Sequence, residues 1–294
     1  MKNKVFFIGL LLISTGCASI QLLVVNSLAR FANYTVISDI PYGQHTLNSL
    51  NVYIPLQKTK KATVVFFYGG CWGGCETLSK ENYLFVAQAL TSRGYRVIIP
   101  DYRRYPDVKF DTIIADAQHA VEWGHKHIAD YGGDPNQIFL MGHSAGAHLA
   151  AMLMFNEHYL ETETYRSLKG FVGLAGPYDF LPITDEYQKI VFGPPSHYSA
   201  SQPINFVDGT EPPSLLLYGK NDTTVKPKNI ASLRARIKQT GGCVESHEYN
   251  NLDHVGLLGS LSLPKQDQEP VLNDIIQFLD YYSESNPPCK KIDR

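Results

Sequence analysis

The sequence of 294 residues predicts an α/β fold: a mostly parallel, eight-stranded sheet flanked by helices, with a small cap inserted late in the chain. Three observations carry this. From residue 62 onward, short β-branched and aromatic runs alternate with segments of helical period. Several runs, residues 62–68 foremost, are apolar at nearly every position, as strands buried on both faces must be. The rhythm breaks once, over about 176–210, in a stretch rich in Pro, Tyr and Phe that reads as a lid or binding loop.

Taken in order, residues 1–4 are a short basic start and residues 5–13 an apolar run too short to span a bilayer as a helix. Small residues then lead into Cys17, so 1–16 reads as a secretory signal of bacterial lipoprotein type. The pattern resembles a lipobox, in which Cys17 is acylated, although Ser14 stands where leucine is more usual. An ordinary signal cleaved near Ala18, or a retained anchor, are the alternatives. Residues 17–33 form an N-terminal anchor and helix, and 34–294 the main domain. The expected address is an exported, membrane-anchored lipoprotein facing the periplasm, or a secreted protein, with the membrane a partner through lipid alone.

Two strands at 35–40 and 51–54 form an early antiparallel edge. Further strands are expected at 62–68, 96–100, 137–141, 170–174, 213–218 and 244–249, with helices at 82–93, 110–131, 145–155, 227–240 and 270–282 between or after them. Such alternation implies right-handed crossovers and a sheet covered on both faces. A formal net charge of −2 without blocks of like charge gives no footing for nucleic acid. Beyond Cys17, an oxidising compartment would permit Cys243 to pair with Cys289 and Cys71 with Cys75, free thiols being the alternative. No second closely spaced cysteine cluster or His-x3-His accompanies Cys71-x3-Cys75, so no zinc site is expected, and neither a metal nor an organic cofactor is called for.

The sharpest chemical signal is Gly142-His143-Ser144-Ala145-Gly146, entered by a strand and left by a helix. That context forces Ser144 into a strained turn with its hydroxyl above the carboxyl edge of the sheet, and the glycines spare the neighbouring helix and strand a collision. A serine hydroxyl needs an oriented base. With such an elbow the partners follow in the order serine, acid, histidine. Asp222 and His254 each stand just past a strand end, so His254 is the expected base and Asp222 the residue that orients it. Asp253 is expected to shape its loop, and His143 to be turned away by the elbow as a packing residue. Gly69 and Gly70, after the strand at 62–68, are expected to offer backbone N–H groups with that of Ala145 to a developing oxyanion.

These motifs, with Asp101-Tyr102-Arg103, Tyr131-Gly132-Gly133-Asp134-Pro135 and Gly176-Pro177-Tyr178-Asp179-Phe180, resemble the hormone-sensitive-lipase-like branch of the α/β-hydrolase superfamily. They are similar in particular to small carboxylesterases near the feruloyl and acetyl esterases, and to kynurenine formamidases. The resemblance implies the α/β-hydrolase fold and the triad Ser144, Asp222 and His254. It usually begins the oxyanion motif with His, where this chain has Tyr68. Arg103 and Asp116 are expected to form a structural ion pair. Trp72, Tyr178 and Phe180 are candidates for the substrate pocket, or for core and lid packing. The expected activity is hydrolysis of a small-molecule carboxylic ester through an acyl-enzyme on Ser144. Its rivals are an arylformamidase or other amidase-type hydrolase, and a non-catalytic lipid-anchored binding protein.

Overall fold

The computed structural model describes residues 24–57, 59–75, 77–283 and 287–290. The signal over 1–16 and Cys17 lie outside them, and of the expected N-terminal helix residues 24–29 are described as helical (α1). The strands are β1 (Tyr34–Pro41), β2 (Ser49–Pro55), β3 (Thr63–Phe67), β4 (Arg96–Pro100), β5 (Ile138–His143), β6 (Leu168–Leu174), β7 (Ser214–Gly219) and β8 (Val244–Tyr249). They form one sheet in the order β1-β2-β4-β3-β5-β6-β7-β8. β1 and β2 are antiparallel to their neighbours, while β4, β3, β5, β6, β7 and β8 run parallel. The fold class expected from the sequence is the one observed.

Composition explains where each strand sits. β3, β4 and β5 are buried at every position, in keeping with their uninterrupted apolar runs. β1, with Ser38 and Asp39 at its centre, is half-buried or exposed throughout and closes the sheet as an edge strand. The helices are α2 (Leu84–Thr91), α3 (Phe110–His127), α4 (Ala145–Phe155), α5 (Thr162–Arg166), α6 (Glu186–Val191), α7 (Lys228–Thr240), α8 (His254–Gly259) and α9 (Val271–Tyr282). α4 is buried on all sides and carries almost no polar residue, so it runs through the core beneath the site. α3 is shorter than its periodicity suggests: after His127 the chain tightens into a 3-10 turn (Ile128–Tyr131) and stops at Gly132, whose φ is 78°.

The segment 176–210 is not featureless. It holds α6 and three short 3-10 turns, and it packs on the loop after β3, where the Tyr187 ring occupies the space a side chain at Gly74 would need. Cys71 is bonded to Cys75 and Cys243 to Cys289. The second bridge closes a span of 46 residues and fastens the chain end to β8, worth about 4 kcal/mol by loop-closure entropy. Because six of the strands, β4, β3, β5, β6, β7 and β8, are parallel, their carboxyl ends share one rim, and the loops that leave them meet there.

Candidate active site

Ser144 is the single residue between β5 and α4, with φ 55° and ψ −126°. A non-glycine residue in that region stores on the order of 1–3 kcal/mol of strain, which its surroundings must over-determine. They do. Its N–H donates to the Leu174 carbonyl of β6 at 2.9 Å, and its carbonyl accepts the His148 N–H of α4 at 3.1 Å. The flanking glycines are steric necessities. A Cβ on Gly142 would stand 2.4 Å from the Gly146 carbonyl group, and one on Gly146 would stand 2.1 Å from the Phe67 oxygen of β3.

Asp222 and His254 come from the loops that leave β7 and β8, beyond β6 on the same rim. Gly219 lets those loops touch, since a Cβ there would lie 2.3 Å from the Leu252 carbonyl oxygen. The Asn221 N–H donates to that oxygen at 3.0 Å. His254 Nδ1 lies 2.8 Å from Asp222 Oδ2, while Asp222 Oδ1 accepts the N–H groups of Thr224 at 2.8 Å and Val225 at 2.9 Å. Burial alone would raise the Asp222 carboxyl, but the bond from His254 and those backbone donors outweigh it and hold the group below the usual carboxylate range. The carboxylate therefore accepts and Nδ1 donates, which leaves Nε2 as the ring nitrogen away from the aspartate. Asp253 shapes the loop by capping α8 through the Gly256 N–H at 2.6 Å.

His143 is not turned away. Its Nε2–H donates to the His254 carbonyl at 2.9 Å, and the two rings stand 4.7 Å apart. Burial depresses its pKa to about 3, so it stays neutral and serves as a clamp between the elbow and the loop of His254. The chain reversal at Ser144 places the last side chain of β5 on the same rim, a consequence of the elbow that the sequence does not spell out.

The loop after β3 approaches Ser144 closely. A Cβ on Gly69 would lie 3.0 Å from Ser144 Cβ and 3.2 Å from the His143 oxygen. Gly70, Cys71, Trp72 and Gly73 all have positive φ, at 113°, 54°, 55° and 103°, a left-handed turn tied off by Cys71–Cys75. Among the described residues no carbonyl accepts from the N–H groups of Gly69, Gly70 or Ala145. Gly69 and Ala145 therefore present unpaired donors beside Ser144.

Two pocket candidates take the packing alternative. Tyr178 is wholly buried, with its hydroxyl over Gly173 and its ring against Gly176, where added Cβ atoms would lie 2.0 and 2.5 Å away. It is a core residue, and those glycines make its space. Trp72 is only 4% exposed. Its Nε1–H donates to His148 Nδ1 at 3.1 Å, and His148 Nε2–H donates to the Ser201 carbonyl at 2.8 Å. Trp72, His148, Phe180 and Phe192 form one ring cluster, of which Phe180 alone is half-buried. Arg103 grips Asp116 with Nε at 2.9 Å and a terminal nitrogen at 2.7 Å, a structural pair. Among the described residues no group of three or more His, Cys, Asp or Glu is placed to hold a metal ion.

Residues 50–237, well over half of the chain, match the BD-FAE family, and the chain belongs to it. It is 32% identical over 168 residues to a "probable isoprenylcysteine alpha-carbonyl methylesterase" of Oryza sativa subsp. japonica, a match covering 54% of this chain and 39% of that protein. It is 31% identical over 160 residues to a kynurenine formamidase of Danio rerio, covering 54% of this chain and 52% of the relative. The chain thus spans from two fifths to about half the length of these relatives. Among solved structures, a truncated carbohydrate esterase from gut microbiota superposes with a TM-score of 0.74 at 20% identity, covering 86% of this chain and 98% of that one. That likeness is one of fold, and the fold is that of the α/β-hydrolases.

Proposed function

We propose that this member of the BD-FAE family is a serine carboxylesterase in which Ser144 is the nucleophile, His254 the general base and acid, and Asp222 the residue that orients His254. The observation that carries the proposal is the Asp222–His254 hydrogen bond at 2.8 Å, whose histidine is clamped through its carbonyl to the residue preceding a strained serine. His254 Nε2 takes the Ser144 proton as Oγ attacks the ester carbonyl carbon. The oxygen that gains charge is met by the N–H groups of Gly69, Gly70 and Ala145, each donor of this kind being worth about 3–4 kcal/mol. The C–O bond to the alcohol breaks as His254 returns the proton to the leaving oxygen. Water, deprotonated by the same imidazole, then releases the acid from Ser144. The two disulfides accord with an oxidising compartment, and the N-terminal sequence supports export with Cys17 as the lipid-bearing residue.

The similarity to a formamidase favours a second substrate for the same machinery, an aryl formamide. Steady-state turnover of a short-chain p-nitrophenyl ester and an aryl formamide, by the native protein and Ser144→Ala, tests both. Ester turnover is expected to exceed that of the formamide, and Ser144→Ala to lose about a thousandfold or more in kcat. A folded Ser144→Ala variant with native turnover would refute the mechanism.

A further inference from the structure

The Tyr68 carbonyl and the Gly69 N–H belong to one amide, which is not among the cis peptides of the described residues. In a trans amide these groups point in opposite directions, so whatever fixes the carbonyl also fixes the aim of the N–H. Tyr102 does this. Its hydroxyl donates to the Tyr68 carbonyl oxygen at 2.6 Å, inside the core. Burial pushes the Tyr102 hydroxyl well above the usual tyrosine range, so it remains a protonated donor.

The rest of Tyr68 is equally constrained. Its ring is sandwiched between Tyr102 at 4.9 Å and Tyr83 at 5.1 Å, both stacked. Its hydroxyl donates to Asp101 Oδ1 at 2.7 Å, and the same carboxylate accepts from Lys80 through the backbone N–H at 2.7 Å and Nζ at 3.0 Å. Tyr68 is thus held at ring, hydroxyl and carbonyl, while the next residue, Gly69, rests against Ser144.

We propose that Tyr102 is a positioning residue for ester hydrolysis, its hydroxyl aiming the Gly69 N–H at the oxygen on which negative charge develops. The inference rests on Ser144 being the nucleophile. Tyr102 acts through an amide and touches neither substrate nor Ser144. Its effect is felt where donor direction matters most, in the tetrahedral state rather than in the bound ester.

The test compares native protein, Tyr102→Phe and Tyr95→Phe. The last removes a hydroxyl bonded to Asp280 just before the opposite end of β4. Melting temperature, kcat and KM on a short p-nitrophenyl ester, and inhibition by a trifluoromethyl ketone, which adds to a serine hydroxyl to give a charged tetrahedral adduct, are measured for each. Tyr102→Phe is expected to lose roughly ten- to a hundredfold in kcat, with KM changed less than about threefold. Its ketone inhibition constant should rise by the same factor by which kcat/KM falls. Tyr95→Phe should keep kcat within about threefold, so that the loss is not the generic cost of a missing hydroxyl. A folded Tyr102→Phe with native kcat, or a kcat loss unmatched in the ketone constant, overturns the positioning role and leaves Ser144 standing. Native protein that neither turns over ester nor responds to the ketone overturns both.

Discussion

Two aspartate–histidine pairs lie within one strand and one loop of each other. Asp222 Oδ2 and His254 Nδ1 are 2.8 Å apart, and Asp274 Oδ2 and His247 Nδ1 are 2.9 Å apart. Distance and residue type do not separate them; placement does. His254 stands past the end of β8 on the rim shared with Ser144, hydrogen-bonded to its aspartate. His247 sits inside β8, and neither of its ring nitrogens makes a hydrogen bond among the described residues. The Tyr249 hydroxyl instead donates to Asp274 on α9 at 2.8 Å. Glu245, His247 and Tyr249 share one face by the two-residue period of a strand and pack under α9. The contrast teaches that placement distinguishes such contacts: one stands past a strand end on the rim of Ser144, the other inside a strand under a helix.

The largest effects that probe this comparison fall on the histidines. His254→Ala should cost about a thousandfold or more in ester kcat, whereas His247→Gln should leave kcat within about threefold. Comparable losses in the two variants would erase the distinction. Next are the aspartates. Asp222→Asn keeps the shape but favours the wrong tautomer of His254, and should lower kcat by roughly 10² to 10⁴. Asp274→Asn should act on stability alone, by about 1–3 kcal/mol, read by denaturant unfolding beside the same assay.

An effect confined to acid conditions, and to stability, concerns the neutral histidines packed around Ser144. Burial holds His143 down to about 3 and His148 to about 4, against about 6.5 in an unfolded chain. The unfolded chain therefore takes up protons first, so stability is complete above about pH 6.5 and is lost as pH falls through the folded values. Between pH 6.5 and 4 each ring withdraws roughly 3 kcal/mol, visible as a falling melting temperature. His148→Gln should flatten that fall, and a melting temperature level from pH 6.5 to 4 would show that the rings are not buried neutral.

What could be read beforehand followed from long-range regularity. The six parallel strands and the longer helices were legible because uninterrupted apolar runs and helical periods extend over enough residues to be distinctive. The elbow was legible because Gly142 and Gly146 flank a serine between such runs. Helices α5, α6 and α8, of five or six residues, have too few turns to show a period. His143 was misplaced because its side chain is aimed by the chain reversal at Ser144, with φ 55°, which residue spacing does not encode. Glycines 173 and 176 carried a trace of the Tyr178 ring, but only its packing shows what they make room for.

The central claim is that Ser144 is the one hydroxyl in this chain activated by His254. Labelling with a fluorophosphonate, followed by peptide mass spectrometry, tests it most directly. A single adduct on Ser144, formed much more slowly in His254→Ala and at native rate in His247→Gln, is the predicted result. An adduct on another residue, or labelling that persists in Ser144→Ala, would contradict it.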